Sequence, residues 1–93
     1  MNWLFKDPPN VAVITTTKIV NMGFPILHVS HDEDDGMWQF HDGSELNVED
    51  GRVVSLQEIV AIDPGLMELH DLPEGWIAWR NNTGEEWNKI KLE

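Results

Sequence analysis

The pattern of apolar and polar positions divides the chain into strands first and helices second. Val11-Ala12-Val13-Ile14-Thr15-Thr16-Thr17 is rich in β-branched residues and starts almost continuously apolar, which predicts a strand in a central position of a sheet. Phe24 to Ser30 reads as a second strand, with Pro25 near its start, where a missing N–H is tolerated. The polar run His31-Asp32-Glu33-Asp34-Asp35-Gly36 then turns the chain into Met37-Trp38-Gln39-Phe40-His41, predicting an antiparallel hairpin. With Ser30 opposite Met37, Val29 meets Trp38 and Leu27 meets Phe40 on one face, while His28 with Gln39 and Ile26 with His41 share the other.

The period changes further on. Asp42-Gly43 and Asp50-Gly51 are turn signals around Leu46-Asn47-Val48. Ser55-Leu56-Gln57-Glu58 has the form of a capping box, with Val54 placed to staple onto Ile59, so a helix is predicted from Ser55 with Leu56, Ile59 and Val60 on its buried face. Its end falls near Ile62, because Asp63 precedes a proline. Asp63 caps a second short helix with Pro64 at its first position, carrying Leu66, Met67 and Leu69 as far as Leu72-Pro73. Gly75 to Arg80 and Glu86 to Leu92 read as two further strands around the turn Asn81-Asn82-Thr83-Gly84. The fold class is therefore α+β: a small antiparallel sheet of four to six strands with two short helices on one face. Residues 1–10 form an N-terminal arm set off by Pro8-Pro9, and residues 11–93 a single domain. Trp3, Leu4 and Phe5 require cover, from the arm folding back or from a second copy in a homodimer.

Charge changes the picture. The 93 residues hold 17 Asp and Glu against 6 Lys and Arg, a net charge of -11, beyond the roughly 2 to 8 that solubility asks of a small domain. Nucleic acid and anionic membrane surfaces are poor partners for such a chain, since both are bound through clustered Lys and Arg. Basic proteins, cations and small molecules remain. With no cysteine, no disulfide, thiolate metal site or thiol nucleophile is available, which fits a reducing interior and predicts a cytoplasmic location. The start lacks the pattern of a signal peptide, and no run approaches a membrane span.

Motifs for catalysis are missing: no glycine-rich phosphate loop, Gly-x-Ser-x-Gly elbow or His-Glu-x-x-His helix occurs, and no cofactor is implied. The acidic run Asp32-Glu33-Asp34-Asp35 fails the EF-hand rule, because Gly36 at the sixth position puts His31 first and Asp42 twelfth. In the hairpin register above, His28 and His41 lie diagonally on one face, with His31 and Asp42 nearby. His28, His41 and Asp42 would make an open zinc or iron site, the basis of an alternative reading as a small metal-dependent enzyme. Trp76 and Trp79 fall on opposite faces of a strand, one in the core and the other half exposed, and an exposed Trp among carboxylates is a binding anchor. Trp87 alternates with Lys89 and Lys91, which predicts ammonium groups along its ring, and Arg80 is expected to pair with a local carboxylate.

Several of these segments recur in order as a string: Phe24-Pro25-Ile26-Leu27 after a glycine, the acidic hairpin ending in Trp38-Gln39-Phe40 with Asp42-Gly43, Leu56-Gln57-Glu58-Ile59 with Asp63-Pro64, and Pro73-Glu74-Gly75-Trp76 to Arg80. Over Val11 to Arg80 the string resembles a bacterial domain family of unknown function that is grouped with polymorphic-toxin immunity proteins as their thirty-third family. The resemblance implies a protein that binds and occludes a toxin domain made in the same cell, and it carries no catalytic residues. It agrees with the charge argument, because many such toxins are basic. The candidate partner-binding residues are Asp32, Glu33, Asp34 and Asp35 at the hairpin tip, Asp42, Glu45, Glu49 and Asp50 in the following loop, and Trp76. A third reading is a globular domain with no specific electrostatic partner.

Overall fold

The computed structural model describes residues 3–92. Six strands form one mixed sheet in the order β4-β1-β3-β2-β5-β6. In chain order they are β1 (Ala12–Thr16), β2 (His28–His31), β3 (Trp38–His41), β4 (Gly51–Ser55), β5 (Trp76–Trp79) and β6 (Asn88–Lys91). The helices are a single turn α1 (Thr17–Val20) after β1 and α2 (Leu56–Ile62) after β4, with 3-10 segments at Val48–Asp50 and Pro64–Leu69. This is the α+β architecture the sequence predicts, with one difference in strand direction: β1 and β3 run parallel. The hairpin β2–β3 inserts β3 beside β1, so β1 pairs with the second strand after it rather than the first.

Ser55 caps α2 as its sequence implies, its hydroxyl accepting from the Glu58 N–H while the Glu58 carboxylate accepts from the Ser55 N–H. The Asp63 carboxylate accepts from the Gly65 N–H, and the segment it caps is 3-10 rather than α-helical. Leu56, Ile59, Val60, Leu66, Leu69 and Leu72 are buried against Val13, Val29, Trp38, Phe40 and Ala78, so the helices cover one face of the sheet.

The hairpin register is slipped by two residues from the one its alternation suggests: Ser30 opposes Gln39, Val29 opposes Phe40 and His31 opposes Trp38. A two-residue slip preserves the side of every strand residue, so Val29 and Phe40 still point into the core. The turn decides it. The Asp32 N–H donates to the Met37 carbonyl, so Met37 closes the loop instead of joining the strand. Gly36 lies in the left-handed region at φ 71, and a Cβ there would stand 2.9 Å from a Glu74 carboxylate oxygen, so the turn passes close under the start of β5. Phe24 to Leu27 lies outside β2, and Ile26 rather than Leu27 reaches the core.

Residues 3–10 are built into the molecule. Phe5 is buried, edge-on to Trp38 at 5.3 Å between ring centres, and Trp3 packs on Phe5 at 5.5 Å. The Trp38 indole N–H donates to Asp7 Oδ2 at 2.8 Å and that of Trp3 to the Asp7 carbonyl. These aromatic side chains find their cover within the same chain.

Candidate binding surface

Arg80 is buried and organises the end of the sheet where β2 begins. Its Nε and Nη2 donate to the Ile26 carbonyl at 3.2 and 3.0 Å, Nη2 pairs with Asp63 Oδ2, and the guanidinium lies 4.1 Å from the centre of the Trp87 ring. The carboxylate partner is 17 residues away in sequence rather than local, and the cation over Trp87 is Arg80 in place of the expected lysines. Delocalised charge and a planar fork let one guanidinium serve all three contacts, which an ammonium cannot do.

The expected acidic sites separate into two groups. Asp32, Glu33, Asp34 and Asp35 occupy the β2–β3 turn, joined by Glu74 beside Gly36. Asp42, Glu45, Glu49 and Asp50 lie in the loop after β3, and therefore at the opposite end of the strands. The β5–β6 turn, with Glu85 and Glu86, falls at that second end, because Trp79 pairs with His28 and with Asn88. Exposed apolar side chains stand among both groups. At the tip a cleft of about 310 Å³ is lined by Ser30, Asp32, Glu33, Asp34, Trp76 and Leu92, and at the other end Leu46 is exposed and Val48 fully so.

Between the two ends lies the sheet face opposite α2; on it Thr16 and His41 are buried and Gly43, Ser44 and Leu46 of the following loop line a cleft with His28, Gln39 and His41, while Val53, Trp79 and Ile90 toward its edges are exposed. Its outward positions follow from the pairing: Gly51, Val53 and Ser55 on β4, Ala12, Ile14 and Thr16 on β1, Gln39 and His41 on β3, His28 and Ser30 on β2, Ile77 and Trp79 on β5, and Asn88 and Ile90 on β6. No Asp, Glu, Lys or Arg is among these strand positions, and the Asp32 carboxylate reaches in from the tip to Gln39. A polar chain crosses the middle: His41 Nε2 donates to Gln39 Oε1 at 3.0 Å, and Gln39 Nε2 donates to Asp32 Oδ2 at 2.6 Å. Trp79 is the exposed tryptophan of this face at 37%, whereas Trp76 is half-buried on the helix side, beside the acidic tip.

His28 and His41 stand directly opposite each other rather than diagonally. Burial lowers the pKa of both, and the neighbouring His28 charge lowers that of His41 further, against the opposing pull of Asp42 and Asp32. Asp42 does not complete a ligand set with them. Its oxygens accept from the hydroxyl and N–H of Ser44, which lines a cleft beside His28 and His41. Among the described residues no group of three His, Cys, Asp or Glu side chains is placed to hold a metal ion. His31 is on the helix side, stacked on Trp38 at 3.9 Å, and its Nδ1 donates to the Leu72 carbonyl.

The sequence reading missed the uncharged face, because only the pairing order shows which outward positions of six short strands are neighbours. No helix of the described residues is long and apolar enough to cross a membrane. No family model, curated protein or solved structure matches the chain.

Proposed function

We propose that this chain is a non-enzymatic, cytoplasmic binding module for a protein with a basic surface, acting as an immunity protein acts on a toxin domain. One observation supports the reading above others: carboxylates concentrate at the two ends of the sheet with exposed Leu46, Val48 and Leu92 among them. Charge so placed steers a cationic partner into encounter, and the apolar contacts slow its departure.

The test uses a panel of purified basic toxin domains, each as an inactive variant. Between about 0.01 M and about 0.15 M ionic strength the screening length falls from roughly 30 to roughly 8 Å, so association should slow at least tenfold. An unchanged association rate, or no binding, would remove this reading.

A further inference from the structure

We infer that the open sheet face is the floor on which the partner sits, and that the partner presents an uncharged, apolar patch flanked on two opposite sides by Lys or Arg. This rests on the reading of the chain as a binder of a basic protein.

Charge distribution carries the argument. Thr16 and His41 are buried; a quarter of all residues are charged, so about three of the other twelve outward positions would be expected to carry a charge, and none does. A solvated antiparallel face ordinarily alternates with polar residues outward. Here Val53 is 69% exposed, Ile90 49% and Trp79 37%, on three different strands. Depletion of charge at the centre, an aromatic anchor and a polar rim are the anatomy of a protein interface.

Size fixes how the partner must fit. Six strands about 4.8 Å apart and about 13 Å long give a floor of roughly 300 Å², well short of the roughly 800 Å² per partner of a standard interface. The remaining contact has to come from the loops at its two ends, and those loops carry the carboxylates. A second copy of this chain is a poor occupant, because it would bring the same acidic ends together at a net charge of -11 per chain.

The experiment adds negative charge to the floor. Trp79→Glu and Ile90→Glu are compared with Ile62→Glu, an exposed site on α2 with the same change of charge, against the basic domain of that panel that the wild type binds most tightly. If attraction between the rims and the partner were all that mattered, every variant would bind as well as the wild type or better. The floor predicts instead that Trp79→Glu and Ile90→Glu weaken binding at least about tenfold, mainly through faster dissociation, while Ile62→Glu stays within about twofold. Thermal melts of the free variants establish folding, and either floor variant suffices if the other melts early. Wild-type affinity in both floor variants would overturn the inference and leave the binding function standing. A wild-type chain that does not bind would remove the function itself, and the inference with it. A wild-type dimer in sedimentation, dissociated by Ile90→Glu, would give the floor to a second copy and overturn the proposal.

Discussion

Arg80 shows how much one residue can organise in a chain this small. It is 4% exposed and joins the approach to β2 at Ile26, the start of the 3-10 segment at Asp63, and Trp87 ahead of β6. Removing one member of a buried ion pair leaves the other charge uncompensated. Asp63→Asn should therefore cost about 2 to 4 kcal/mol, the lower end allowing for the partial exposure of Asp63. Arg80→Lys keeps the charge and loses the fork and the ring contact, a cost of about 2 kcal/mol. Urea unfolding measures both, and losses below about 0.5 kcal/mol would contradict the account. The sequence shows that Arg80 needs a carboxylate but not which one, because the choice depends on a helix returning across the sheet. Trp79 and Trp76 were likewise legible only as a pair on opposite faces. Which of them is exposed depends on where the helices pack.

At the scale of elements, legibility follows how local the determining chemistry is. The α2 cap was readable because Ser55 and Glu58 satisfy each other within one turn. The faces of the hairpin were readable from alternation, but its register was set by a turn that takes in Met37, which alternation does not report. The corrected register puts His28 squarely opposite His41, with a consequence for pH. Both imidazoles are lowered below their ordinary 6.5 by burial, so the unfolded chain takes up protons before the folded one does. Unfolding thus binds protons below about pH 6.5, and the stability present above that value is lost as the pH falls toward the folded-state values. The urea midpoint should be level above about pH 7 and decline between about 6.5 and 5, with a shallower decline in His28→Asn. A midpoint that stays flat through this window would refute the cross-strand account.

For the whole molecule, an acidic chain with its carboxylates gathered at two ends repels itself most in the folded state, where those groups are held together. Moderate salt should therefore stabilise it: Tm should rise by a few degrees between about 0.01 and 0.15 M sodium chloride and level off beyond. A fall in Tm would mean that attractive pairs, such as Arg80 with Asp63, outweigh the repulsion. The fold class was legible because strand and helix periods differ, and the acidity was legible by counting. The open floor between the acidic ends was not, since the mixed strand order depends on long-range pairing.

The parallel pairing of β1 with β3 also bears on biosynthesis. As the polypeptide leaves the ribosome, β1 emerges first and finds no neighbour in the segment that follows it. One edge closes when β3 arrives at residues 38–41, and the other only when β4 is complete at residue 55. Until then Val13 and Ile14 hang from a two-edged ribbon of the kind that aggregates. The acidic turn made between β1 and β4 repels other nascent copies during that interval, so the same carboxylates that meet a partner would also protect the chain while it is being made.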